Sequence, residues 1–198
     1  MAKPYYATRE NRYLGLPLGF GFLGVTYVLS SIARFSPFSV NTLFWVQLLA
    51  RPFAFLFLAF TYYFSKKLSK KTQILYNIIL SVLFIALTAL VISIFVAPQF
   101  NLSNYRVVGT YIRALDLVCL VYISIHTLRS HLESKDPANT VLAPIAFMLL
   151  GVSQYSVLTW AIDGSLFAFY GGIVIRHMSL IIFLFISLKV RYGHHHED

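Results

Sequence analysis

Six stretches of about twenty apolar residues, each long enough to cross roughly 30 Å of hydrocarbon as a helix, alternate with short polar breaks along the chain. They fall at about 15–35, 42–64, 73–97, 105–129, 139–162 and 167–189. The breaks run from Ser36 to Asn41, Ser65 to Thr72, Pro98 to Asn104, Ser130 to Ala138 and Asp163 to Leu166. Pro37, Pro98 and Pro137 lie in or beside them, where a missing N–H does no damage to a helix. The pattern predicts an all-α integral membrane protein: a polar lead-in over 1–14, a six-transmembrane-helix domain over 15–192 and a His-rich acidic tail over 193–198.

Composition strengthens this picture. Hydrophobic residues make up 58% of the 198 and charged residues only 12%, against roughly 45–50% and 25% in a soluble domain. The expected partner is therefore the lipid bilayer. The net charge of +9 does not point to nucleic acid, because the basic residues sit at the ends of the apolar runs. Lys66, Lys67, Lys70 and Lys71, then Arg129 and Lys135, then Lys189 and Arg191 share one predicted side with the N-terminus. The excess of positive charge on cytoplasmic loops then places both termini in the cytoplasm, with the plasma membrane as the expected location. The first apolar run exceeds signal-peptide length and has no small-residue cleavage site.

A pattern recurs within the spans. Leu48-Leu49-Ala50-Arg51, Thr110-Tyr111-Ile112-Arg113 and Ile173-Val174-Ile175-Arg176 place an arginine at intervals of 62 and 63 residues. Each arginine precedes an apolar run that ends at Lys66, Arg129 or Lys189. Leu23-Gly24-Val25-Thr26 and Leu150-Gly151-Val152-Ser153 echo each other ahead of the first and third arginines. Three helical hairpins are expected, each with an arginine in the outer half of its second helix. Mitochondrial carriers also array three hairpins, but their Pro-x-Asp/Glu-x-x-Lys/Arg signature is absent. In outline, and without a diagnostic motif, the arginine-bearing helices look similar to multi-span sensor domains found ahead of bacterial and archaeal signalling modules.

An arginine near mid-bilayer costs about 2.5–3.5 kcal/mol on insertion scales, so three of them need an explanation. One reading is snorkelling to the headgroups or a structural ion pair. The other is an outward-facing pocket in which Arg51, Arg113 and Arg176, with Gln47 and Asp163, hold a small anionic or lipid-derived ligand through bidentate bonds. Asp116, three residues after Arg113, is expected to form an ion pair with it on one helical face. The stripes Thr26, Ser30, Arg34 and Ser153, Ser156, Trp160, Asp163 follow helical spacing and are expected to pack helix against helix.

Catalytic chemistry finds little support. No Gly-x-Ser-x-Gly, His-Glu-x-x-His or Gly-rich phosphate loop occurs. The lone Cys119 excludes an intrachain disulfide, and His126, His131 and His177 lie at unmatched depths, so no metal or other cofactor is expected. His194, His195 and His196 read as an affinity tag or a solvated tail. The sequence thus predicts a sensor-like or accessory binding module. A small oligomeric anion transporter or channel, or a structural subunit of a membrane complex, is the alternative. Phe53, Phe55, Phe57 and Phe60 crowd the second span and argue against a continuous polar route.

Overall fold

The computed structural model describes residues 15–35, 40–64, 70–96, 102–133 and 141–192, and side chains over most of these. All of the regular structure in them is helical. The helices are α1 (Gly15–Phe35), α2 (Val40–Tyr63), α3 (Lys70–Val96), α4 (Leu102–Glu133), α5 (Leu142–Asp163) and α6 (Leu166–Tyr192). Five contain stretches long and apolar enough to cross a membrane: Trp45–Tyr63, Lys71–Ser93, Val107–Glu133, Leu142–Asp163 and Leu166–Leu188. A shorter apolar stretch, Leu18–Leu29, lies in α1. The polar lead-in, the His-rich tail, and the basic residues Lys66, Lys67 and Lys135 lie outside the described residues.

The helices match the predicted spans to within a few residues, and the differences have one cause. Apolarity marks where hydrocarbon would be, whereas backbone hydrogen bonding continues through polar residues with good helix propensity. Thus α3 begins at Lys70 rather than at residue 73, and α4 continues through His131 to Glu133, where Arg129 Nε bonds Glu133 Oε1 at 2.6 Å, one turn away. The Asp163-Gly164-Ser165 turn is as tight as its sequence implies. Gly164 takes a left-handed φ of 72°, which lets its N–H reach the Trp160 carbonyl at 2.8 Å and close α5. Ser165 Oγ then accepts from the Ala168 N–H at 3.3 Å and opens α6.

The chain divides into two compact units, residues 1–116 and 117–198, with the boundary inside α4. In the first unit α2 is central. Ala54, Phe55, Phe57 and Leu58 are wholly buried, and Phe22 of α1 stacks on Phe57 with ring centroids 5.6 Å apart. Leu80, Leu83, Leu87 and Val91 bring α3 onto the same core. Farther toward the start of α2, Trp45, Val46 and Leu48 pack with Leu29 of α1 and with Val108 and Ile112 of α4. A polar contact joins α2 to α3, Thr61 Oγ1 lying 3.3 Å from the Tyr76 hydroxyl within the core. The phenylalanines of the second span are therefore chiefly core.

In the second unit α5 and α6 form one long seam. Phe147 meets Phe183 edge to face at 4.8 Å, and Trp160 meets Phe169 at the same distance. Ser179 Oγ donates to the Ala146 carbonyl at 2.7 Å. Gly172 sits where a Cβ would come within 3.2 Å of the Ser153 carbonyl oxygen, Ser156 Cβ and Val157 Cγ2, so glycine sets the closeness of the two helices. Ser153, Ser156 and Trp160 of the predicted stripe thus face α6, as packing requires, whereas its fourth member, Asp163, is exposed; in the α1 stripe the side chains of Ser30 and Arg34 lie outside the described ones. On the outside, Ile74, Ile78, Val82, Ile85 and Ile92 of α3 and Val174, Ile181, Leu184 and Leu188 of α6 are exposed. Such extended apolar surface suits insertion into a bilayer and is rare on soluble monomers.

Candidate anion-binding arginines

Arg51 lies midway along α2 and is only 5% exposed. Its guanidinium carbon sits 5.7 Å from the centre of the Tyr27 ring, within range of a cation–π contact from α1. Nε and Nη2 are buried and meet no acceptor among the described residues. These two nitrogens form one edge of the guanidinium, the edge that offers two parallel N–H groups to a pair of oxygens. Gln47 is one turn away on the same face, and its buried Oε1 likewise meets no donor among the described residues. Pro52 follows Arg51 inside the helix. Lacking an N–H, it leaves the Leu48 carbonyl without its usual intrahelical donor, so backbone and side chain both place unusual polarity at this level of α2.

Arg113 and Asp116 belong to the same unit. They are 8% and 1% exposed and lie three residues apart on α4. A Cβ at Gly109, one turn before Arg113, would lie 3.5 Å from Arg113 Nη1 and 3.6 Å from Leu48 Cδ2. Glycine here leaves room for the guanidinium of its own helix and for Leu48 of α2.

Arg176 and Asp163 belong to the second unit. Arg176, half-buried on α6, donates from Nε to Ser153 Oγ at 3.4 Å, and that hydroxyl donates in turn to the Gly172 carbonyl at 2.6 Å. Asp163 is exposed at the end of α5. Beside Ser153, Gln154 is wholly buried, and neither its Nε2 nor its Oε1 has a partner among the described residues. Among the described residues no group of three or more His, Cys, Asp and Glu is placed to hold a metal ion.

The predicted site residues thus fall into two sets: Gln47, Arg51, Arg113 and Asp116 in one unit, Asp163 and Arg176 in the other. Three features around these arginines escape a reading based on charge and repetition. Tyr27 directly follows the Leu23 to Thr26 motif, and an aromatic 24 residues before an arginine carries no signal until α1 and α2 are paired. Gln154 stands off the Ser153, Ser156, Trp160 stripe. Pro52 was available as a signal, since an Arg-Pro pair inside an apolar run is unusual in itself. No protein-family model matches the chain, and neither a curated protein nor a solved structure is significantly similar to it.

Proposed function

We propose that the protein is a membrane-embedded, sensor-like or accessory binding module in which Arg51 holds a small anionic or lipid-derived ligand. The supporting observation is the buried Nε and Nη2 edge of Arg51, which meets no acceptor among the described residues. A buried cation is costly, and an anion on that edge offsets the cost through two charge-assisted hydrogen bonds. Gln47 contributes an amide at the same level, and Tyr27 supports the guanidinium face. Arg113 adds positive potential on α4, with Asp116 as its ion-pair partner. Arg176 takes a different role, as a donor in the α5–α6 seam, which the Ser153 contact favours.

The test is purified protein in neutral detergent, its thermal stability measured against inorganic phosphate, sulfate, an anionic phospholipid and a fatty acid. At least one anion should stabilise the protein, and Arg51→Gln should weaken that binding by about 1.5–3 kcal/mol, the worth of hydrogen bonds to a charged group. Identical responses from both proteins to every anion would remove the basis for this role. The bilayer setting includes both termini in the cytoplasm, most simply at the plasma membrane. With Cys119 replaced by Ala, a single cysteine at Ser69 should resist a membrane-impermeant label in intact cells and react after lysis. Labelling in intact cells would invert the topology.

A further inference from the structure

We infer that the anion taken by Arg51 is a carboxylate, a monoanion offering two coplanar oxygens to the Nε and Nη2 edge; this rests on Arg51 being an anion site in a membrane-embedded chain. Three observations select the class. The first is donor number. The open donors at this level are one guanidinium edge, together with the Gln47 amide once it turns its nitrogen inward. A carboxylate has two oxygens for that edge and lone pairs left for one amide. A phosphate brings four oxygens and up to two charges, and this set would leave several of them buried and unbonded.

The second is charge. Arg51 is a single cation, 5% exposed, with its guanidinium against the face of Tyr27. A monoanion neutralises it, whereas a dianion would replace one unpaired buried charge with another.

The third is depth. Arg51 lies six residues into the Trp45–Tyr63 stretch, about 9 Å along the helix and about a third of the way through it. A phospholipid phosphate lies outside a hydrocarbon layer about 30 Å thick, so it cannot reach this level without dragging its headgroup inward. A carboxylate on an alkyl chain, or a small organic acid entering past the half-buried Gln47 and Tyr27, carries no such headgroup.

The experiment uses the full chain in phosphatidylcholine nanodiscs, titrated calorimetrically with oleate, butyrate, oleyl alcohol, phosphatidic acid and inorganic phosphate. Oleate or butyrate should bind once per chain. Arg51→Gln should weaken that binding about tenfold or more, and Arg51→Lys should weaken it several-fold, because an ammonium keeps the charge but not the two-pronged edge. Gln47→Leu provides a milder second variant should Arg51→Gln fold poorly, and it too should weaken binding. Tighter binding of oleate identifies an acyl-chain ligand, and equal binding of butyrate identifies a soluble acid; both support the carboxylate. Equal binding of oleyl alcohol would overturn it, since charge would then play no part. Arg51-dependent binding of phosphatidic acid or phosphate without any carboxylate binding would overturn the carboxylate and leave the anion site standing. Binding of every anion independent of Arg51 and Gln47 would overturn both.

Discussion

The α1–α2 and α5–α6 seams are built from echoing sequence, yet they treat their arginines in opposite ways. In each, the arginine of the second helix meets the first helix at, or one residue past, the end of its Leu-Gly-Val-Thr/Ser motif. Arg176 finds Ser153, the last residue of that motif, and donates to it. Arg51 finds Tyr27, one residue past the motif, and receives the face of a ring in place of an acceptor. Thr26, the counterpart of Ser153, turns its hydroxyl to the Leu23 carbonyl of its own helix at 2.8 Å. One seam thus spends its hydroxyl on holding helices together while the other leaves its guanidinium edge open. The same local pattern can bond an arginine across the seam in one place and leave its edge without an acceptor among the described residues in another, and the neighbouring side chain decides which.

The largest expected effect is a difference of sign. Replacing Arg51 with Met, of similar length and no charge, should raise the stability of the ligand-free protein by about 2–3 kcal/mol, because a buried and uncompensated charge is removed. Replacing Arg176 with Met should lower stability by about 1 kcal/mol, since a half-exposed guanidinium has less desolvation to recover and Ser153 loses its donor. Reversible unfolding in mixed detergent and SDS micelles measures both. Shifts of equal sign and size would mean that the two arginines are equivalent and that the comparison fails.

The glycines sharpen the comparison at a smaller scale. A Cβ on Gly19 would lie 2.6 Å from Leu58 Cγ and 3.0 Å from the Ala54 carbonyl oxygen, so α1 and α2 must part. Gly19→Ala should cost about 1–3 kcal/mol in the same assay. At Gly172 the nearest atoms are all 3.2 Å away. They need yield only a few tenths of an ångström, and Gly172→Ala should cost about 1 kcal/mol or less once helix propensity is counted. A larger penalty at Gly172 would show the α5–α6 seam to be the stiffer.

Much of this architecture was legible because a bilayer demands it. Twenty-residue apolar runs predict helices whatever their tertiary setting, and all six appeared close to their expected bounds. The Asp163-Gly164-Ser165 turn was equally local, since a left-handed residue after a helix favours glycine. Of the Ser153, Ser156, Trp160, Asp163 stripe, the first three face α6, as helical spacing implies, while Asp163 is exposed where α5 ends. Where sequence fell short was partnership. Gln47 and Arg51 share a face by arithmetic, but Tyr27 enters only when α1 is laid against α2. Gln154, wholly buried, looks from sequence like one polar residue among many. Periodicity tells which way a side chain points along its own helix, not what it meets.

The smallest expected effect isolates the hydroxyls. Ser153 Oγ links α5 to α6 through the Gly172 carbonyl and receives Arg176 Nε. Ser153→Ala removes both bonds, but the Gly172 carbonyl still lies within reach of its own helix's N–H donors, so nothing buried is left wholly unsatisfied. The cost should therefore be about 0.6 kcal/mol, the average for interhelical hydrogen bonds inside membrane proteins. Thr26 Oγ1 bonds only to its own helix at Leu23. Thr26→Val keeps the shape, and the carbonyl keeps its helical donor, so its cost should be at most about 0.5 kcal/mol. The double variant Ser153→Ala with Arg176→Met should lose less than the sum of the singles, by about 0.5 kcal/mol or more, because both remove the same contact. Additive losses would mean that the guanidinium draws nothing from Ser153. A Thr26→Val penalty as large as that of Ser153→Ala would mean that the two seams use their hydroxyls alike, and the open edge of Arg51 would then need another origin than the turn of Thr26 toward its own helix.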